Sequence, residues 1–185
     1  KKWYDSGQRR YRMNAHLTMI LTCVFFLILG IFLGNGAVYF FNKMPGKWLV
    51  DYGQEPDEEL LHPTCQRVKS TPWKYVFTGF FIVVGIAMAT DDPYYAFAAV
   101  FALWLLLEMS IADIKYMIVP DRLILLLLVC GIGLIPRNEA GVAGCLLGAA
   151  AGFAVIGLTA FIGWLIYKES AVGGADIKLF AALDF

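Results

Sequence analysis

The chain has 185 residues, of which 59% are hydrophobic and 16% charged, and its formal net charge is zero. So few polar side chains cannot cover a soluble globule of this length, and a mean hydropathy of +0.66 is typical of a protein of the lipid bilayer. No basic stripe with interleaved aromatic residues occurs in the sequence, so no nucleic-acid partner is expected. The sequence therefore predicts an all-α, polytopic bundle of transmembrane helices.

The amino-terminal part of the chain is predicted to form an interfacial tail and a membrane span. Residues 1–16 mix basic and aromatic side chains, a composition typical of a segment at the membrane surface. The apolar stretch from Leu17 to about Phe41 is too long for the core of a cleaved signal peptide. Residues 17–45 are thus the predicted first span and its exit, where Pro45 and Gly46 end the helix.

Residues 46–73 form a polar stretch with an acidic patch and a basic patch, the latter around Arg67 and Lys69. Helix connections in bundles usually take about 2 to 8 residues, so this one is too long for a simple turn. We expect a small, water-exposed cytoplasmic loop subdomain here. Residues 74–185 are predicted to form the rest of the bundle, which carries the candidate catalytic residues.

Five further apolar stretches predict spans, which makes six spans with the last one truncated. They run from Trp73 or Tyr75 to about Ala89, from Tyr94 to about Ile111, from Ile118 to Ile135, from Gly141 to Tyr167, and onward from Asp176. Residues 123–135 alone reach about 20 Å of the roughly 30 Å of hydrocarbon, so Ile118 and Val119 are needed to complete the fourth span. Asp113 and Asp121 are therefore expected close to the membrane boundary. Because the chain begins without Met and stops as an apolar helix starts, we expect one or both ends to be missing.

The distribution of basic residues orients the predicted spans. Lys and Arg are more numerous on the side that carries the 42–74 loop and the loops with Asp113 and Asp176 than on the opposite side. The positive-inside rule places that side in the cytoplasm, although the basic tail lies opposite. In either orientation Asp113 and Asp176 face the same side, because two spans separate them.

Neither a metal site nor a cysteine nucleophile is indicated by the sequence. The four cysteines lack C-x-x-C spacing, and His16 and His62 each stand alone, so no metal site or disulfide framework is expected. Cys65 lies three residues from His62, but nothing near it supplies an orienting group or an oxyanion hole. The acidic residues at the ends of the spans are the remaining candidates.

Asp113 and Asp176 suit a paired-carboxylate chemistry. Two carboxylates within a few ångströms share a proton and split their apparent pKa values. The ionised member can take a proton from water while the protonated member donates a hydrogen bond to the scissile carbonyl, which permits amide hydrolysis. Gly173 and Gly174 beside Asp176 permit positive φ and let an extended substrate backbone approach.

Other acids, and simpler roles for the chosen pair, remain alternatives. Asp121 follows Pro120, as at a helix start, where an acid caps the helix and complements its dipole. Glu108 lies about 140° around the helix from Asp113 and cannot easily point into the same site. Asp113 could instead pair with a neighbouring cation, Lys115 or Arg122, and Asp176 could be an ordinary acid at a helix start.

Residues 113–121, DIKYMIVPD, and residues 173–179, GGADIKL, resemble the two signature segments of the type IV prepilin peptidases. These are polytopic aspartic proteases of the Gly-x-Gly-Asp class, related to the preflagellin peptidases. The resemblance implies that Asp113 and Asp176 are the catalytic pair. The residues that it implies to bind substrate or shape the site are Gly173, Gly174, Ala175, Lys178, Pro120 and Asp121.

The resemblance also implies a substrate, a location and cofactors. The substrate would be the amino-terminal leader of a prepilin or pseudopilin, in type IV pilus assembly or protein secretion. Cleavage would take place at the cytoplasmic face of a bacterial inner or cytoplasmic membrane. Proteolysis would need no cofactor, whereas bifunctional members methylate the new amino terminus with S-adenosylmethionine. The resemblance does not decide the oligomeric state.

Three positions depart from the pattern of the resembled family. Ala175 replaces the second glycine of its motif, and Val38 stands where the family usually places Asn. The 46–73 loop holds only Cys65, whereas many bacterial members carry two C-x-x-C pairs there, so the zinc site is absent. These departures leave methyl transfer undecided.

Two other classes of function remain open on the sequence. In an ion- or proton-coupled transporter, Glu108, Asp113 and Asp176 would form a carboxylate relay at membrane depth. A non-catalytic subunit that anchors pilus machinery would tolerate replacement of either Asp113 or Asp176.

Overall fold

The computed structural model describes residues 2–50, 53, 55–62, 66–89, 92–137, 141–167 and 179. All the regular secondary structure in these residues is helical. Its elements are α1 (Lys2–Lys43), a 3-10 turn (Gly46–Trp48), α2 (Glu58–Leu61), α3 (Trp73–Ala89), α4 (Pro93–Tyr116), α5 (Asp121–Leu134), a second 3-10 turn (Ile135–Arg137) and α6 (Gly141–Tyr167). The all-α prediction is therefore confirmed for the described residues.

Three of these helices contain stretches long and apolar enough to cross a membrane, namely His16–Lys43, Pro93–Tyr116 and Gly141–Thr159. Helix α3 is apolar but has 17 residues, and α5 has 14. At about 1.5 Å per residue these two are shorter than the hydrocarbon layer, which is roughly 30 Å thick. The described part of the chain is that of a membrane protein with three candidate spans. The predicted sixth span lies outside the described residues except for residue 179.

Two predicted boundaries around Asp113 differ from the structure. Helix α4 continues past Ile111 to Tyr116, so Asp113 lies in its last turn rather than after it. Helix α5 begins at Asp121 and does not include Ile118 and Val119. The physical reason is Pro120, because its ring disfavours helical backbone at the preceding residue. The expectation that these two residues extend the fourth span was wrong.

The chain divides into two compact units. Unit 1 comprises Lys1–Tyr39 and Val68–Val100, and unit 2 comprises Phe40–Arg67 and Phe101–Phe185. In unit 1, α1 and α3 approach closely at glycines: Gly30 lies against Ile82, and Gly34 lies against Thr78. From one contact to the next the residue number rises in α1 and falls in α3, so the two helices run antiparallel.

Helix α4 begins in unit 1 with a side-chain cap. The Asp92 carboxylate accepts hydrogen bonds from the backbone N–H groups of Tyr94, at 3.0 Å, and Tyr95, at 3.4 Å. Pro93 at the first helical position lacks an N–H group that would otherwise need a partner. This local pattern starts the helix one residue before the predicted boundary.

The core of unit 2 lies along one face of α4. Leu105, Glu108, Met109 and Ala112 are at most 2% exposed and recur at helical spacing. The last residues of α1 pack onto this helix, since the rings of Phe40 and Trp104 have centroids 5.2 Å apart. This packing leads directly to the carboxyl-terminal turn of α4, where Asp113 lies.

Candidate active site

Asp113 occupies the last turn of α4 and its side chain is exposed. Its backbone carbonyl accepts a hydrogen bond from the N–H of Met117 at 2.8 Å. Met117 has a φ of 55°, so it ends the helix in the left-handed conformation that usually selects glycine. The dipole of a helix is negative at its carboxyl end, so it does not stabilise an acidic side chain at this position.

The nearby cations that could stabilise an acid here are engaged elsewhere. Lys115 donates from Nζ to the backbone carbonyl of Arg67. The guanidinium of Arg122 lies 4.7 Å from the centre of the Trp48 ring. Within the described residues the structure shows neither cation paired with the carboxylate of Asp113. An acid placed against the local dipole without a described counterion is a candidate for function rather than for stability.

Arg67 is the side chain that joins the helix ends around Asp113. It is 8% exposed, and its guanidinium donates to the carbonyl of Met44 at 2.5 Å, of Leu60 at 3.1 Å and of Phe41 at 3.3 Å. The ring of Phe41 in turn stacks on that of Tyr116, with centroids 6.4 Å apart and planes inclined by 15°. The carboxyl ends of α1 and α2 therefore meet at one buried cation, and the end of α4 packs beside them on Phe41.

This network could not be found by sequence reasoning. Arg67 and Lys69 belong to the same basic patch, yet Arg67 is buried and Lys69 exposed. Charge and spacing do not distinguish two such residues, because the burial of Arg67 depends on carbonyl groups from distant parts of the chain. Phe41 and Tyr116 were likewise predicted only as parts of an apolar span and a loop.

Pro120 and Asp121 form the start of α5. Pro120 is buried at the N-cap position, and its carbonyl accepts a hydrogen bond from the N–H of Leu123 at 2.9 Å. Asp121 is exposed in the first turn, where a negative charge complements the helix dipole. The position of Asp121 agrees with the alternative role of an acid at a helix start.

The second half of the predicted pair is not covered by the structure. Gly173, Gly174, Ala175, Asp176 and Lys178 lie outside the described residues. Cys65, the disfavoured nucleophile, also lies outside them, and His62 is exposed. Among the residues that are described, no group of three or more His, Cys, Asp and Glu side chains could hold a metal ion.

Glu108 is the buried acid of α4. It is 0% exposed, and neither of its carboxylate oxygens has a hydrogen-bond partner in the described part of the chain. Asp113 on the same helix is exposed, so the two acids lie on different sides of α4. This arrangement does not favour a relay in which Glu108 passes protons or ions to Asp113.

Comparison with known proteins finds a family match, in the carboxyl-terminal part of the chain. Residues 99–185 match the type IV leader peptidase family. This segment contains Asp113 and Asp176, whereas Arg67 precedes it.

One curated protein to which the chain is similar is the prepilin leader peptidase/N-methyltransferase of Bacillus subtilis (strain 168). It is 38% identical over 91 residues, which are 48% of this chain and 34% of the relative. The chain thus matches about a third of the length of this relative. No solved structure gave a significant match.

Proposed function

We propose that the chain is a membrane aspartic endopeptidase that removes the leader peptide of type IV prepilins or pseudopilins. The observation that carries this proposal is the match of residues 99–185 to the type IV leader peptidase family, because that segment contains both Asp113 and Asp176. The exposed position of Asp113, with no described counterion, supports a chemical role for it. The substrate class follows the name of the Bacillus subtilis relative.

The proposed mechanism uses Asp113 and Asp176 as one titrating pair. The ionised carboxylate takes a proton from a water molecule, and the oxygen of that water attacks the scissile carbonyl carbon. The protonated carboxyl donates to the carbonyl oxygen, which gives a tetrahedral diol. As the C–N bond breaks, the first carboxyl returns its proton to the leaving nitrogen, and the other carboxylate takes back a proton from a hydroxyl of the diol. Gly173, Gly174, Ala175 and Lys178, with Pro120 and Asp121, would shape the site and hold the substrate backbone.

The topology that this proposal requires has six spans, with both acids on the cytoplasmic side of a bacterial inner membrane. Contacts inside unit 2 support the grouping of the loops, since Lys115 bonds to Arg67 and Arg122 stacks on Trp48. These contacts join the 46–67 stretch to the turn after α4. In this topology that turn lies at the membrane boundary, where the leader of a membrane-inserted substrate can reach it.

Methyl transfer is a second candidate activity because the name of the Bacillus subtilis relative includes N-methyltransferase. The described residues do not fit a site for S-adenosylmethionine. Their buried polar atoms without a hydrogen-bond partner, on Arg67, Thr78 and Glu108, are closed to solvent and cannot face a bound cofactor. We therefore assign the described residues no role in methyl transfer, and incorporation of labelled methyl into a mature pilin tests that activity.

Cleavage of a prepilin tests the proposed function. The full-length protein is produced in membranes together with a prepilin, and the amino terminus of the pilin product is sequenced. In membranes that contain the protein, we expect a single cut that releases the leader. In membranes that lack the protein, we expect no cleaved product. A prepilin that stays intact, in membranes where the protein is present and inserted, would contradict the proposal.

A further inference from the structure

We propose that Arg67 is a positioning residue that fixes the turn of α4 carrying Asp113. This inference rests on the proposed function, since it concerns the geometry of the candidate catalytic pair. Arg67 itself lies outside the segment that matches the peptidase family. Its role is to hold the ends of three helices together and not to touch the substrate.

The side chain of Arg67 buries a permanent charge. Guanidinium groups remain protonated in proteins, and a buried charge is costly unless hydrogen bonds compensate it. Arg67 is 8% exposed, and its two terminal nitrogens meet this requirement with the carbonyls of Phe41, Met44 and Leu60, whereas its Nε has no partner among the described residues. Phe41 and Leu60 lie in the last turns of α1 and α2, where carbonyl groups lack helical partners. Arg67 is thus a shared carboxyl-terminal cap for two helices.

Two contacts connect this cap to the turn that carries Asp113. Lys115, two residues after Asp113 in the chain, donates from Nζ to the carbonyl of Arg67. Tyr116 stacks on Phe41, whose carbonyl accepts from Arg67. Two separate contacts therefore tie the last turn of α4 to the Arg67 cap. Loss of the cap would therefore release both the end of α1 and the turn that carries Asp113.

A catalytic carboxylate pair tolerates little displacement of either acid. Two acids that share a proton must lie within hydrogen-bond reach of each other and of the attacking water. A misplacement of about 1 Å can lower the rate about 10²-fold. A residue that fixes the backbone next to Asp113 should therefore act on turnover more than on substrate binding.

A single ammonium group cannot replace the planar guanidinium group of Arg67. Its two terminal nitrogens reach carbonyls of three different residues: Nη1 those of Phe41 and Met44, and Nη2 that of Leu60. A lysine keeps the charge but lacks this planar arrangement. Arg67→Lys should therefore give a defect between those of the wild type and Arg67→Gln.

The experiment measures kcat and KM for a prepilin substrate with the purified full-length protein. Arg67→Gln and Arg67→Lys are compared with the wild type at a temperature where all three are folded. We expect Arg67→Gln to lower kcat about 10²-fold with KM nearly unchanged, because the site is misaligned and the substrate contacts remain. Lys69→Gln is the matched control, since this exposed neighbour in the basic patch should leave both constants unchanged.

A second variant covers the case in which Arg67→Gln does not fold. Lys115→Met removes the link from α4 to Arg67 and leaves the buried guanidinium in place. It should lower kcat in the same direction by a smaller factor. If the folded variants keep the wild-type kcat, or lose thermal stability with no change in kcat, Arg67 is only a structural cap and the proposal is wrong. If the wild type does not cleave prepilin, the proposed function fails and the positioning role fails with it.

Discussion

A Cβ atom at Gly34 of α1 would lie 2.3 Å from the Cα of Thr78 in α3. One turn earlier, a Cβ at Gly30 would lie 2.7 Å from the backbone nitrogen of Ile82. The obstructing atoms are backbone and cannot rotate away, so α3 would have to shift. Close backbone contact at small residues is a common way for helices to associate in membranes.

We therefore expect Gly34→Ala to destabilise unit 1. Overpacking of this kind costs about 1–3 kcal/mol, because the new methyl group can be accommodated only if the backbone of α3 shifts. The thermal midpoint of the purified protein in detergent would measure the effect. Gly36→Ala is the control, because a Cβ at Gly36 meets no atom within 4 Å. Equal midpoints for the two variants would contradict the close contact of α1 and α3.

Much of the fold could be predicted because long apolar runs and helix-breaking residues are local signals. The Thr90-Asp91-Asp92-Pro93 turn and the run after it indicated α4 to within one residue of its start. The other end of α4 could not be predicted, because the helix ends at Met117 and not at a glycine. A left-handed residue of this type carries no compositional signal.

Some features of the candidate site could likewise be predicted from local sequence signals, and others could not. The acids could be singled out from the sequence, since a carboxylate at the end of an apolar run is unusual wherever it occurs. The partners of the cations could not, because Lys115 and Arg122 are local neighbours of Asp113 yet contact Arg67 and Trp48. Those contacts depend on how the 46–67 stretch folds onto α4, which is tertiary information.

The left-handed Met117 makes a prediction about the end of α4. Met117→Gly should stabilise the protein by up to about 1 kcal/mol, because an L-residue pays about 1–2 kcal/mol in this conformation and glycine loses part of that gain in chain entropy. Met117→Val should destabilise it, because a branched Cβ fits this region poorly. Thermal midpoints in the order Gly, Met, Val are expected, and the reverse order would contradict the cap.

The cap at the start of α4 makes a prediction about Asp92. Asp92→Ala should cost about 0.5–2 kcal/mol, because it removes the acceptor of the N–H groups of Tyr94 and Tyr95. Asp92→Asn keeps an acceptor oxygen and should stay close to the wild type. Denaturation of both variants under the same conditions measures the difference. An equal loss of stability in both variants would show that the negative charge of Asp92, and not its hydrogen bonds to the helix start, stabilises the protein.

Substitution of the buried Glu108 distinguishes a peptidase from an ion relay. Glu108→Met should raise stability by about 1–3 kcal/mol, since a buried polar group without a partner costs roughly that amount. Cleavage of prepilin by this variant should stay at the wild-type level, because Glu108 and Asp113 lie on different sides of α4. A large loss of activity in a folded Glu108→Met protein would favour a relay through this acid.

The most direct test of the account replaces each acid of the pair by its amide. Asp113→Asn and Asp176→Asn are made separately in the full-length protein, and cleavage of a co-expressed prepilin is measured in membranes with matched protein levels. Each variant should lose at least about 10²-fold in rate, because general acid–base catalysis by a positioned group contributes that much or more. Asp92→Asn, the same chemical change before the first residue of α4, should cleave normally. Normal cleavage by either Asp113→Asn or Asp176→Asn would contradict the proposed pair.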